Sequence, residues 1–228
     1  MQPPNTRNQK SGIPLLVCFT LKEEAAPFQK ITARKSGVST LLTGVGRRNA
    51  EKSVREFLAT NSPELVLTCG FAGGLNPELK LGDAVFELTD SEFGTPSSGL
   101  RDRLLAAGAK PAKFFCADQI ATTVAEKKKM RDETGADAIE MESAAIYGVC
   151  RERGIPCATV RVISDTAKED LPLDFNRLFR SDLRLNYGKL FLALAKSPGK
   201  VGALRGLQKK TRFAAKQLAT VLAKITFP

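Results

Sequence analysis

The sequence predicts an α/β protein, a single-domain three-layer sandwich around a mixed, largely parallel twisted sheet. Apolar runs of strand length alternate with helical segments almost throughout the 228 residues, which is the pattern of a sheet covered by helices. Apolar residues make up 43% and charged residues 26% of the chain, as expected of a soluble domain with one substantial core.

The predicted strands are short apolar runs. They cover residues 13–20, 38–46, 64–70, 83–88, 112–117, 138–142 and 157–165, with a glycine-rich loop at 71–83. The predicted helices carry apolar residues at three- and four-residue spacing. They cover residues 47–61, 101–107, 122–133, 142–154, 174–195 and 201–225, and glycine, proline and serine predict a loop at 89–100. We divide the chain into a flexible tail (1–12), a main domain (13–195) and a basic amphipathic C-terminal helix (196–228).

The chain has no histidine and five cysteines. Without histidine, Ser-His-Asp and Cys-His nucleophilic sites are excluded, so an acid or base must be Asp, Glu, Lys, Tyr or Cys. The cysteines show no metal-ligand spacing, and we expect no metal, no organic cofactor and buried thiols in a reducing cytoplasm. No apolar run approaches the roughly 20 residues of a membrane span, and we see no secretory signal. We therefore expect a cytoplasmic protein.

The formal net charge is +11, and much of the excess lies in the C-terminal segment, which has no acidic residue after Asp182. This segment has an apolar stripe opposite a basic face. It predicts either contact with an anionic membrane surface or a helix packed on the domain or on a partner subunit. Nucleic-acid binding is disfavoured because the chain has no tryptophan and two tyrosines, and no known DNA- or RNA-binding motif.

Three segments carry polar residues where predicted strands leave the sheet, which is where open α/β sheets bind ligands. They read CGFAGGLNPELKLGD (69–83), AIEMESAA (138–145) and VRVISD (160–165). Together they resemble the nucleoside phosphorylase / 5′-methylthioadenosine–S-adenosylhomocysteine nucleosidase superfamily over about residues 13–191. The resemblance implies a phosphorylase/hydrolase-like fold, a homo-oligomer of two or more subunits, and cleavage of the N-ribosidic bond of a purine nucleoside, with adenine as the expected base.

The resemblance also implies an acid. Asp165 matches the residue that passes a proton towards N7 of the purine, and Ser164 can orient it by a hydrogen bond. To act at pH 7 Asp165 must hold a proton, so we expect burial to favour its protonated form. The alternative is a helix-capping aspartate.

The resemblance implies further site residues. Glu142 matches the glutamate that accepts hydrogen bonds from the ribose hydroxyls, a role suited to two carboxylate oxygens, and Met141 would pack on the sugar. Arg161 matches an arginine paired with active-site carboxylates. Glu24 matches the glutamate that activates water, or is an exposed residue in the first turn of a helix. Glu23 takes this role instead if the match of this segment to the family is displaced by one residue.

Phosphorylases of this superfamily carry a Gly-Asp-Pro-type loop with an arginine where this chain has residues 21–24. They also tend to have a hydroxyl residue where this chain has Phe71. Both departures favour water as the nucleophile. Arg47, after a Gly-x-Gly turn, stays a candidate anion-binding residue, so a phosphate-dependent phosphorylase remains the alternative.

The remaining substrate-binding residues are expected near the glycine-rich segment and the base. Ala72 and Gly73 are expected beside Phe71, and Ile120 takes the place of an aromatic residue against adenine. The short segment between residues 88 and 113 resembles the hopanoid-associated phosphorylase-like branch, proposed to remove adenine from an adenosylated lipid. A lipid-linked substrate would favour a location peripheral to the membrane. A lower-ranked alternative is a non-catalytic nucleoside or nucleic-acid binding protein.

Overall fold

In the computed structural model, residues 14–88, 99–178 and 199–227 are described. The predicted N-terminal tail, most of the predicted loop at 89–100 and most of the predicted helix at 174–195 lie outside these residues.

Within the described residues, eight strands form one mixed sheet. They are β1 (Leu15–Phe19), β2 (Val38–Leu42), β3 (Leu65–Gly74), β4 (Ala84–Leu88), β5 (Lys110–Pro111), β6 (Phe114–Cys116), β7 (Ala138–Glu140) and β8 (Cys157–Asp165). The order β2-β1-β3-β8-β4-β5 contains four parallel pairs and one antiparallel pair, β4 with β8. β7 joins β3 antiparallel and β6 parallel. The predicted mixed, largely parallel sheet is confirmed.

Helices cover both faces of the sheet, as predicted. They are α1 (Lys22–Thr32), α2 (Arg47–Thr60), α3 (Gly99–Ala106), α4 (Val124–Thr134), α5 (Ser143–Glu152), α6 (Phe175–Leu178) and α7 (Lys200–Thr226). Because side chains alternate along a strand, Val17 and Phe19 of β1 face one core with α1, α3 and α7. Leu16 and Cys18 face a second core with α2 and α5.

The predicted loop after β3 is partly wrong, because β3 continues through Phe71 and ends at Gly74. Its last residues pair with both β8 and β7, and the pairing with β8 shifts register between Ala72 and Gly73. These backbone pairings continue the strand although glycines are poor strand formers. They also bring the ends of β3, β7 and β8 to one place.

The basic C-terminal helix packs on the domain along its second half. Ala214, Leu218, Leu222 and Ile225 of α7 belong to the first core, where they are almost fully buried. In the first half, Arg205, Lys209 and other residues are exposed. For residues 214–225, the helix therefore packs on the domain, which is one of the arrangements that the sequence left open. No helix within the described parts of the chain is long and apolar enough to span a membrane.

Candidate active site

A cavity of about 270 Å³ lies at the ends of β3, β7 and β8. Four carboxylate side chains line it among mostly apolar residues. The lining comprises Thr20, Leu21, Glu24, Val45, Phe71, Ala72, Gly73, Gln119, Ile120, Ala121, Ile139, Glu140, Met141, Glu142, Ser164, Asp165, Leu171, Phe175, Leu207 and Thr211. The sequence motifs thus converge on one concave, largely apolar site with few polar groups, the usual form of a small-molecule pocket.

Behind the pocket, Arg161 of β8 is paired with two glutamates. Its Nη2 lies 2.5 Å from Glu140 Oε2 and 3.4 Å from Glu142 Oε2, and it also donates to Thr68 Oγ1 at 3.2 Å. Arg161 is 1% exposed, so its charge would be costly without these partners. The predicted pairing of Arg161 with acidic residues is found, although its Nε has no hydrogen-bond partner among the described residues.

The two glutamates are held differently. Glu140 also accepts hydrogen bonds from the amides of Glu142 and Ser143 and from Ser143 Oγ. Burial opposes ionisation of Glu140, but Arg161 and the Ser143 hydroxyl outweigh it and hold its pKa below the usual value. Glu142 accepts the Gly46 amide at 2.8 Å, and burial, together with repulsion from Glu140, raises its pKa against the effect of Arg161. Glu140 is therefore the fixed counter-ion of Arg161. Both glutamates line the cavity, and the role of Glu142 as a ribose ligand stays a prediction.

Glu24 is buried in the first turn of α1, so the alternative of an exposed helix residue does not describe it. The amides of Thr20 and Leu21 donate to its Oε2, and the Phe71 amide donates to its Oε1. Burial raises the pKa of Glu24 to about 7, although Arg161 and the backbone hydrogen bonds act in the opposite direction. A base near neutrality suits general-base chemistry. Glu23, the substitute residue, is exposed.

Asp165, at the end of β8, lies in a setting that the sequence did not predict. Ser164 Oγ donates to its Oδ1 at 2.8 Å, as expected. Its Oδ2 lies 2.6 Å from Nζ of Lys127, a fully buried residue of α4. A buried cation therefore contacts this carboxyl group, and the role of Asp165 as the acid stays a prediction.

A side chain at Gly70 would disrupt this site. A Cβ atom there would lie 2.6 Å from Arg161 Nη1 and 2.9 Å from Glu24 Oε1. We expect Gly70→Ala to lower the free energy of unfolding by about 1–3 kcal/mol, the usual cost of overpacking. In the control Gly148→Ala, the added methyl meets nothing within 4 Å on helix α5, and we expect stability to rise by up to about 1 kcal/mol. Chemical denaturation followed by circular dichroism measures both, and equal stability of the two variants would contradict the packing.

Most predicted site residues line the cavity: Glu24, Phe71, Ala72, Gly73, Ile120, Met141, Glu142, Ser164 and Asp165. Arg161 lies behind it. Arg47 is not in the lining, since its guanidinium contacts Asp118 and the carbonyl of Cys116. Its role in anion binding stays a prediction.

The sequence missed several residues of the site. Leu171, Phe175, Leu207 and Thr211 line the cavity from α6, α7 and the segment after β8, and no motif marked them. Lys127 had a weak signal. It is three residues before the half-buried Met130 and four after Thr123, so helical spacing places it on the inward side of α4.

No group of three or more potential metal ligands occurs in the residues described. The five cysteines all lie in the described residues and form no disulfide; four are buried and Cys116 is half-buried. The site chemistry described above rests on carboxylates, one arginine and one lysine.

Comparisons with known proteins identify relatives of this chain. A family model described as "Phosphorylase superfamily" matches residues 89–196. A 5′-methylthioadenosine/S-adenosylhomocysteine nucleosidase of Marinomonas sp. is 30% identical over 176 residues, 63% of this chain and 74% of the relative. An aminodeoxyfutalosine nucleosidase of Campylobacter jejuni is 26% identical over 168 residues, 62% of this chain and 73% of the relative. The structure of futalosine hydrolase from Helicobacter pylori matches with a TM-score of 0.66 at 18% identity, covering 93% of this chain and 96% of that one.

Proposed function

Because this chain belongs to the nucleoside phosphorylase / 5′-methylthioadenosine–S-adenosylhomocysteine nucleosidase superfamily, we propose that it is a purine nucleosidase that uses water as its nucleophile. Its curated relatives include nucleosidases named for methylthioadenosine, S-adenosylhomocysteine and aminodeoxyfutalosine. We further propose that adenine is the base released.

The observation that carries the proposal is the charge of the cavity. Glu24, Glu142 and Asp165 line it together, and no lysine or arginine is among the described lining residues. A phosphate anion needs cationic or amide donors, so this acidic lining suits phosphorolysis poorly. The amide of Gly46, in the Gly-x-Gly turn before Arg47, donates instead to Glu142.

In the proposed reaction, Asp165 donates a proton to N7 of the purine while the bond between the base and C1′ breaks. Glu24 accepts a proton from a water molecule, whose oxygen bonds to C1′. Glu142 accepts hydrogen bonds from the ribose hydroxyls. Asp165 and Glu24 thus serve as acid and base, as two carboxyl groups do in other glycoside hydrolases. No cofactor takes part in this scheme.

The wall beside Ile120 supports an apolar contact with the base. The Asn176 side chain accepts a hydrogen bond from the Ile120 amide at 2.9 Å and donates one to its carbonyl at 2.8 Å. Both backbone polar groups of Ile120 are thus occupied within the protein, and Ile120 lines the cavity. Leu171, Phe175 and Leu207 extend the apolar lining, which also fits an apolar 5′ substituent. Adenine removal from a lipid-linked adenosine is the second candidate that this wall favours.

Chromatography of products from a panel of nucleosides tests the proposal. The panel contains adenosine, methylthioadenosine, inosine and an adenosine with an alkyl chain at the 5′ position. We expect free adenine without added phosphate, and more from the substrates with apolar 5′ groups than from adenosine. Release of hypoxanthine as fast as adenine would contradict the adenine assignment. No release of either base would contradict the enzyme assignment.

A further inference from the structure

Lys127 is a buried cation beside the proposed acid. Its side chain is 0% exposed, whereas lysine is almost never fully buried without a partner. Nζ donates to Asp165 Oδ2 at 2.6 Å, to the Thr166 carbonyl at 2.8 Å and to the Glu169 carbonyl at 2.9 Å. These three acceptors match the three hydrogens of an ammonium group, so the geometry holds Lys127 in one position.

The neighbouring lysines of α4 show that this position is special. Lys128 and Lys129 are each 74% exposed and pair with acidic residues four positions later on the same helix. Such surface pairs contribute little to stability. Lys127 instead points inward, where burying an ammonium ion costs several kcal/mol unless a well-placed anion offsets it. The partner of Lys127 is the Asp165 carboxyl group, which becomes such an anion when its proton passes to the purine.

We propose that Lys127 is a positioning residue for proton transfer, which fixes the Asp165 carboxyl group and stabilises the carboxylate left when the proton passes to the purine. The proposal rests on the nucleosidase function above. In the step concerned, the O–H bond of Asp165 breaks and an N–H bond forms on the base. The electron pair stays on Asp165, facing the ammonium, and Lys127 keeps its own protons.

Other charged groups near Asp165 are already paired. Asp165, Glu169, Asp170 and Lys210 line a second cavity of about 290 Å³. Glu169 forms an ion pair with Lys210, which, against the effect of burial, lowers the pKa of Glu169. Asp170 accepts a hydrogen bond from the Val124 amide at the start of α4.

On the side of the first cavity, the remaining charged groups are Glu24, Glu140, Glu142 and the arginine behind them. Within the described chain, Lys127 is thus the cation in direct contact with the Asp165 carboxyl group.

The test is the pH profile of nucleoside cleavage in Lys127→Met. Pairing with a cation lowers the pKa of a carboxyl group by about one to three units in general, so removal of the cation should move the limb of the profile that is set by the acid to higher pH. Because a bell-shaped profile has its optimum midway between its two limbs, we expect the optimum to rise by about 0.5–1.5 units. The maximal rate should fall roughly 10-fold or more, since the product carboxylate loses its partner.

Lys128→Met is the matched control, on the same helix with the same chemical change, and should keep the wild-type optimum and rate. If Lys127→Met does not fold, Lys127→Gln supplies the measurement, because its amide can still donate to the loop carbonyls without the charge. A folded Lys127 variant with the wild-type optimum would overturn the proposal and leave a structural role. A wild type that cleaves no nucleoside would overturn the proposed function, and this inference with it.

Discussion

Replacing Asp165 with asparagine is expected to slow nucleoside cleavage by about 10²- to 10⁴-fold, the usual contribution of a general acid. The amide keeps the size of the side chain and can still accept from Lys127, but it cannot give up a proton to the base. The purine would then have to leave as an anion. Release of adenine, followed by chromatography, measures the effect.

Asp132→Asn is the control for this change. Asp132 lies on the exposed side of α4, where it pairs with Lys128, so its replacement should leave the rate unchanged. If Asp165→Asn cleaves as fast as wild type while remaining folded, the assignment of the acid is wrong. Loss of activity in both variants would show that the effect is not specific to Asp165.

Glu24→Gln is expected to reduce hydrolysis by a similar factor, about 10²- to 10⁴-fold. The ionised form of Glu24, which can accept a proton from water, increases as the pH rises through about 7. The wild-type pH profile should therefore have an inflection near pH 7 that the glutamine variant lacks. Initial rates between pH 5 and 9 measure both effects.

Glu23→Gln provides a neighbouring control on the same helix turn. Glu23 is exposed, so we expect its replacement to leave both the rate and the inflection unchanged. An inflection near pH 7 that persists in Glu24→Gln would assign the titration to another group. A large loss in Glu23→Gln with none in Glu24→Gln would mean that the predicted register of the base is wrong by one residue.

The alternation of strands and helices was readable from the sequence because hydrophobic periodicity reports which side chains meet the core. β8 was predicted at its observed bounds because the segment is rich in apolar and β-branched residues, and all nine of its residues are buried. β3 was cut short at Gly70 because glycines are typical of loops. Its last four residues, Phe71–Gly74, are held in the sheet by pairing with β8 and β7, which a local pattern does not reveal.

The motif residues of the site were predictable for a different reason. The ends of neighbouring strands meet at one edge of a sheet, so Glu142 and Asp165 could be expected to share a pocket. The partner of Arg161 could be expected to be acidic on grounds of burial. Arg161 lies closer to Glu140, at 2.5 Å, than to Glu142, at 3.4 Å. This difference depends on the turn into α5, where Ser143 holds the Glu140 carboxylate by a hydrogen bond.

Contacts between distant segments were not predictable. Lys127 reaches Asp165 across 38 residues of sequence, and helical spacing, which can place Lys127 on the inward side of α4, does not identify its partner. Leu207 and Thr211 line the cavity because α7 packs across the sheet, and the amphipathic pattern of that helix was equally consistent with a membrane surface. The number of subunits and any membrane contact stay predictions.

The sugar product of adenine nucleoside cleavage tests the central claim most directly. The wild-type protein, freed of phosphate, would be incubated with methylthioadenosine, and the products followed by chromatography for adenine and by ³¹P NMR after phosphate is added. We expect adenine and the free sugar at the same rate with or without phosphate, and no sugar phosphate signal. Adenine release that requires phosphate and yields a sugar 1-phosphate would contradict water as the nucleophile.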